Sequence, residues 1–155
     1  MMKLVIQRVS GASVVSDGVP TGEIGQGLVA FVGVAQGDAE PQADFLAQKL
    51  LNLRIFEDEA EKMNLSVTDV SGELLVISNF TLFADCSHGN RPYFAAAMEP
   101  VEANRLYGYF LDKLEELSGK RPKHGVFSAD MKVRVDNDGP VTIIMDTDVI
   151  MKKKK

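Results

Sequence analysis

The chain is poor in the side chains that carry most covalent and metal-assisted chemistry. It has one cysteine, two histidines and no tryptophan among 155 residues. A lone cysteine, Cys86, excludes a disulfide within the chain and a cluster of thiolate ligands. It makes a reducing compartment, the cytoplasm, the expected location. His88 and His124 fall in predicted loops, and no His-x-x-x-His spacing occurs. Neither a metal nor another cofactor is therefore expected. There is no Gly-x-Ser-x-Gly elbow. The glycines of Glu23-Ile24-Gly25-Gln26-Gly27 lack the Gly-Lys-Ser/Thr ending of a phosphate loop. No apolar run is long enough to span a bilayer, and Met1–Arg8 reads as a strand rather than a signal peptide, so no membrane partner is expected. A net charge of −5 argues mildly against nucleic acid. A local basic patch remains open, drawn from Arg91, from Lys120, Arg121 and Lys123, or from the Lys152–Lys155 tail.

What remains is an ordinary globular composition, 45% hydrophobic and 25% charged. The length fits one domain with a real core, placed at residues 1–150, with a basic tail at 151–155. The organising stretch is Leu74–Ala84, apolar on both alternating faces, as in a buried central strand. Ser78, Asn79 and Thr81 interrupt it. A buried polar group without a partner costs roughly 1–3 kcal/mol, so these three either find internal partners or line a pocket.

Along the chain, Lys3–Val9 and Ala12–Ser16 read as two short strands parted by Ser10-Gly11, and Asp17-Gly18 reads as a turn. Leu28–Ala35 is a buried strand whose Gly33 admits a close backbone. Asp38 is the predicted cap of a helix with a stripe at Ala43, Leu46, Leu50 and Leu53. Leu65–Val70 is a further candidate strand. Asp85–Pro92 is a surface loop. Pro100 opens a second helix with a stripe at Ala103, Leu106, Phe110, Leu114 and Leu117, stopped by Gly119. Met131–Val135 and Val141–Met145 are strands joined by a predicted turn at Asn137-Asp138-Gly139. The order gives an α+β domain: a mostly antiparallel sheet or partial β-barrel carrying two helices. With no visible acid–base pair, an enzyme of this composition works by positioning and backbone hydrogen bonds, which suits a reactive substrate such as an activated ester.

Several segments, in order, match one family. They are Met2–Val9, Gly33–Asp38, Lys62–Val67, Gly89-Asn90-Arg91-Pro92 and Ala129-Asp130-Met131. Two signatures join them: Ser78-Asn79-Phe80-Thr81-Leu82, where Asn79 replaces the usual Gln, and Asn137-Asp138-Gly139-Pro140-Val141-Thr142. The chain resembles the bacterial D-aminoacyl-tRNA deacylases over nearly its whole length. The resemblance implies hydrolysis of the ester of D-aminoacyl-tRNA, with glycyl-tRNA also cleaved, as proofreading in translation. It implies a homodimer that receives the tRNA 3′ end in sites at the subunit interface. By the same resemblance Ser78, Asn79, Phe80 and Thr81 form the catalytic strand, with backbone N–H groups near Phe80 and Thr81 stabilising the oxyanion. Gly139 and Pro140, joined by a cis bond, would reject L-residues in the partner's site, with Asn137 and Met131 beside them. The ribose 2′-hydroxyl would replace a protein nucleophile. Thr81 as nucleophile is the sharper alternative, without a visible base. Asn79 also leaves open a non-catalytic module that binds tRNA ends on the same fold.

Overall fold

The structure, a computed structural model, describes residues 1–151. The basic tail, Lys152–Lys155, lies outside the described residues. The chain is built on one strand, β1 (Lys3–Ser16), of 14 residues. Ser10-Gly11 does not divide it, contrary to expectation. A bulge there absorbs the irregularity, and pairing continues on both sides. Along one edge β1 pairs antiparallel with β8 (Met131–Asp146) for its whole length. Along the other edge its first half pairs with β3 (Gly27–Gly33) and its second half with β2 (Val19–Ile24). The predicted turn at Asp17-Gly18 joins β1 to β2, both residues having positive φ.

The helices determine the remainder of the sheet. Between β3 and β6 (Glu73–Ser78) runs α1 (Glu40–Asn52), and between β6 and β7 (Lys123–His124) runs α2 (Pro100–Ser118). A strand–helix–strand crossover brings the second strand in parallel, and β3–β6 and β6–β7 are both parallel ladders. The sheet is therefore mixed, antiparallel around β1 and parallel beyond β3. His124, placed in a loop by the sequence, lies in β7. The sheet curls until β7 returns to β2. A Cβ on Gly22 would meet the His124 carbonyl oxygen at 3.3 Å, so the sheet is nearly closed into a barrel. A two-stranded ladder of β4 (Phe56–Glu57) and β5 (Met63–Leu65) lies apart. A short third helix, α3 (Thr147–Ile150), follows β8.

The two-faced strands feed two cores. On β3 and β6, Leu28, Ala30, Val32, Leu74 and Val76 pack against Leu46 and Leu50 of α1 and Leu106, Phe110 and Leu114 of α2. Their alternate neighbours, Val29, Leu75 and Ile77, fill the barrel with Val9, Ala12 and Val14. Leu117 falls off the stripe and is exposed.

Three local expectations need correction. Asp38 is not the cap of α1. Its carboxylate accepts from the Ala35 N–H at 2.7 Å and the Met1 ammonium at 2.5 Å, and the helix starts after Ala39. Leu65–Val70 is not a strand beyond Leu65, the last residue of β5. Ser66 and Asp69 exchange hydrogen bonds, Ser66 N to Asp69 Oδ2 and Asp69 N to Ser66 Oγ, which close a turn. The strand at Leu74 ends at Ser78, and Phe80–Phe83 forms a 3₁₀ turn. Asn79 ends it: its Oδ1 accepts from the Thr81 N–H at 3.2 Å and pulls the chain out of the sheet. This turn crosses Gly33, where an added Cβ would lie 2.8 Å from the Phe83 ring, the close approach the glycine foretold.

Gly27 holds the tightest junction of the sheet. A Cβ there would fall 1.8 Å from the Glu73 carbonyl oxygen, at the first residue pair of the β3–β6 ladder. Gly27→Ala is expected to destabilise the protein by about 3 kcal/mol or more, because only backbone movement relieves the clash. Urea unfolding with an unchanged m-value is the check.

Candidate active site

One cleft of about 560 Å³ opens where β3 and β6 end, between the start of α2 and the start of β8. Ser78, Asn79 and Phe80 form one wall, and Met131 and Val133 of β8 another. Phe31, Ile77, Met98, Tyr107 and Phe127 make the rest largely apolar. Four of the residues singled out from sequence, Ser78, Asn79, Phe80 and Met131, thus meet in one place. Thr81 does not line the cleft but is tied to it, since both its N–H and its hydroxyl donate to Asn79 Oδ1. An amide oxygen is no general base, so nothing here activates Thr81 as a nucleophile.

The lining contains no carboxylate, imidazole, thiol, ammonium or guanidinium. Its one titratable group is Tyr107, whose hydroxyl donates to the Val76 carbonyl oxygen at 2.8 Å. Burial pushes that phenol well above its ordinary range, so it stays neutral. Among the described residues, no group of three His, Cys, Asp or Glu is placed to hold a metal. The other polar groups of the lining are the Ser78 and Ser128 hydroxyls, the Asn79 amide and the backbone where the 3₁₀ turn begins. Phe80 is 59% exposed, with its ring edge-to-face on Phe94 at 5.2 Å between centroids.

Asn137, Gly139 and Pro140 lie outside this cleft, exposed on β8. They do not form the hairpin expected from Asn-Asp-Gly. Both halves of β8 pair with the same strand, and the segment is an excursion between them. Gln7 pairs with Thr142 and Val9 with Asn137, so Asp138, Gly139, Pro140 and Val141 face only Arg8. The Gly139–Pro140 bond is cis, and Gly139 has φ 127°, a conformation that favours glycine.

Arg8 secures this excursion, and the sequence reading passed over it. It is 5% exposed. Its Nε donates to the Asp138 carbonyl oxygen at 3.1 Å and its Nη1 to the Ile55 carbonyl oxygen at 2.7 Å. The Asp138 carboxylate lies 3.5 Å away. One guanidinium thus joins the excursion to the segment between α1 and β4. A signal existed: Leu4, Ile6 and Arg8 share one face of β1, so alternation alone buries an arginine. Tyr107 was also missed, because Leu106 and Phe110 already explained the stripe of α2.

Comparison with known proteins now decides the family. The family model of D-Tyr-tRNA(Tyr) deacylase matches residues 5–146. A D-aminoacyl-tRNA deacylase of Geobacter sp. (strain M21) is 53% identical, covering 94% of this chain and 97% of the relative. One of Caldicellulosiruptor bescii is 51% identical with the same coverage. The chain belongs to the D-Tyr-tRNA(Tyr) deacylase family. Among solved structures, the c-Myc DNA unwinding element binding protein superposes with TM-score 0.87 at 39% identity, covering 93% of this chain and 97% of that one. A structure titled as a probable eukaryotic D-amino acid tRNA deacylase gives TM-score 0.80 at 14% identity over 93% and 98% of the two chains, a likeness of fold.

Within this deacylase-family fold, the cleft and the Gly-Pro excursion are held by separate parts of the sheet. Arg8→Ala leaves the Asp138 and Ile55 carbonyl oxygens without their donor. The expected cost is about 2–4 kcal/mol in unfolding free energy. Amide hydrogen exchange should rise first at Val141 and Thr142, with little change at Ser78. Uniform loss of protection across the barrel would contradict a local anchoring role.

Proposed function

We propose that the chain hydrolyses the ester bond of D-aminoacyl-tRNA, and of mischarged glycyl-tRNA, releasing free tRNA and the amino acid. The setting is chirality proofreading in translation, in the cytoplasm. The observation that carries this reading is the position of the two signatures. Ser78-Asn79-Phe80 borders a cleft without acid–base side chains, while Gly139-Pro140 stands exposed elsewhere on the same chain. The two meet if a second copy supplies its Gly-Pro excursion to this cleft, which makes the working unit a homodimer.

In that assembly the terminal adenosine of the tRNA enters the cleft beside Phe80. Water attacks the ester carbonyl carbon, assisted by the substrate's own 2′-hydroxyl. The backbone N–H groups at Phe80 and Thr81 stabilise the oxyanion, the Thr81 N–H exchanging Asn79 Oδ1 for it, and the carbonyl–oxygen bond breaks with return of a proton to the ribose oxygen. The partner's Gly-Pro carbonyls receive the α-amino group and Cα, leaving no room for an L side chain. Rejection by backbone shape is indifferent to side-chain identity, so D-residues of many kinds are accepted and glycine passes as well.

Asn79 favours one second reading. Its Oδ1 already occupies the Thr81 N–H, leaving fewer donors for an oxyanion. A module that binds tRNA ends without turnover would tolerate that. One experiment separates the two: D-tyrosyl-tRNA and L-tyrosyl-tRNA are offered to the same preparation, with its mass measured by sedimentation. The proposed function requires a dimer, rapid loss of the D-ester and an intact L-ester. Binding of tRNA with neither ester cleaved would establish the second reading. In the same assay Pro140→Ala should raise L-ester cleavage by about tenfold relative to D, corresponding to about 1.4 kcal/mol of lost discrimination. Unchanged selectivity would remove Pro140 from the filter.

A further inference from the structure

Under the proposed reading the cleft takes one nucleotide and its ester, yet that substrate continues as a polyanion. The loop from Asp85 to Tyr93 is so far without a role. Its neck is closed by a two-way backbone bridge, Asp85 N to Tyr93 O at 2.7 Å and Tyr93 N to Asp85 O at 2.9 Å. Both strands of the neck lead into the cleft wall. Upstream lies the 3₁₀ turn that begins at Phe80. Downstream lies Phe94, stacked edge-on against Phe80, and then Ala97 and Met98, which line the cleft. That downstream segment is fixed to the end of β3 by Met98 N to Val34 O at 3.0 Å and Gln36 N to Ala96 O at 3.0 Å. Beyond the neck every residue is exposed.

The loop's charges are unequal in availability. The Asp85 carboxylate is turned onto the loop itself, accepting from Ser87 N at 3.0 Å and Ser87 Oγ at 2.6 Å. Glu99, the nearest acid downstream, is likewise engaged, accepting from Val101 N and Glu102 N as the cap of α2. Arg91 has neither an ion pair nor a hydrogen bond among the described residues. A leg of about four extended residues reaches roughly 13 Å from the neck. From a nucleotide held at Phe80, that range covers the phosphates of the next few nucleotides.

We propose that the Asp85–Tyr93 loop is a second contact for the RNA substrate, with Arg91 binding backbone phosphates just upstream of the terminal nucleotide. This rests on the deacylase reading and extends it to the tRNA body. Phosphate contacts position a nucleic acid without reading its sequence, so the contact serves every tRNA alike. It also supplies a positive charge beside the cleft of a chain whose net charge is −5.

The test compares D-tyrosyl-tRNA with the minimal ester D-tyrosyl-adenosine, using wild type, Arg91→Ala, Arg91→Lys and a Lys120→Ala/Lys123→Ala control. Arg91→Ala should raise KM for the tRNA about fivefold with kcat unchanged. It should also flatten the dependence of log(kcat/KM) on log[salt] by about 0.7–1. Arg91→Lys should restore most of the loss, and the adenosine ester should be cleaved as by wild type. The control pair, which borders a separate pocket with Ser118 and Glu73, should behave as wild type on both substrates. Wild-type KM and salt slope in Arg91→Ala would overturn the proposal, as would an equal loss on the adenosine ester. If wild type cleaves neither ester, the deacylase reading fails separately. Fluorescence anisotropy with uncharged tRNA then judges the contact alone: weaker binding by Arg91→Ala upholds it, and equal binding overturns it.

Discussion

The structure depends on β1 being paired along both edges over nearly its full length. Among the described residues no other strand carries three ladders. Its partners on one side, β2 and β3, begin the curl that closes the barrel, and β8 on the other side presents both Met131 and the Gly-Pro excursion. Register in β1 is set by alternation, which places Leu4 and Ile6 in the helix-facing core and Val9, Ala12 and Val14 in the barrel. The change of side between Ile6 and Val9 is where the ladder with β8 is irregular, and where Arg8 sits. A buried guanidinium there is satisfied by backbone carbonyls rather than by a buried acid. Two of its donors hold loop backbone that no strand pairs.

The cleft is likewise a backbone construction. Asn79 donates its own N–H to the Val32 carbonyl oxygen at 2.8 Å, while its side chain caps the turn that follows. The sheet therefore ends, and the 3₁₀ turn begins, at one residue fixed from both directions. Neutral lining follows from that origin. The walls are the ends of two-faced apolar strands, and a charge introduced there would carry a desolvation penalty with no partner to offset it. A reaction in such a cleft draws its polarity from fixed N–H groups and from the substrate, in keeping with an ester substrate that is already activated.

Much of this was legible in the sequence, and what was not shares a physical cause. Apolar residues on both faces of Leu28–Ala35 and Leu74–Ala84 announced central strands, which run over Gly27–Gly33 and Glu73–Ser78, and each face of those strands proved to belong to its own core. The stripes of α1 and α2 were equally plain apart from their last residues, Leu53 beyond the end of α1 and Leu117 exposed, and so was the stop at Gly119. The failures lie where local chemistry is the same in two different structures. Asn-Asp-Gly serves a hairpin or an excursion from a strand, and the difference rests on whether Thr142 returns to the strand that Asn137 left. That partner, Gln7, is remote in sequence. Ser10-Gly11 reads as a break unless a neighbour bridges it. Asp38 has the chemistry of a helix cap, but the Met1 ammonium and the Ala35 N–H claim its carboxylate. In each case a long-range partner overrides a correct local propensity. Family resemblance supplied candidate site residues that periodicity did not, yet Arg8 lay within a matched segment and drew no notice because its role depends on contacts with Asp138 and Ile55.

Asn79 shows why the proposed chemistry tolerates change in a side chain. If the side chain at this position delivered the catalytic group, one lost methylene would displace it by more than an ångström and remove its effect. Here the side chain folds back, takes the Thr81 N–H and shapes the turn, so under the proposed reading what matters is where the Phe80 and Thr81 amides are held and that the Thr81 N–H turns from Asn79 Oδ1 to the oxyanion. Those amides are positioned by the Val32–Asn79 hydrogen bond, by the 3₁₀ turn and by the packing of Phe83 across Gly33. None of these contacts requires glutamine. Under the proposed reading, the same economy governs chirality. The groups that reject an L-residue are carbonyls of the backbone at Gly139 and Pro140, anchored through Arg8 to a strand paired on both edges. Selectivity then tracks the rigidity of β1 and its excursion, while the rate tracks the turn at Asn79, and the two can vary independently.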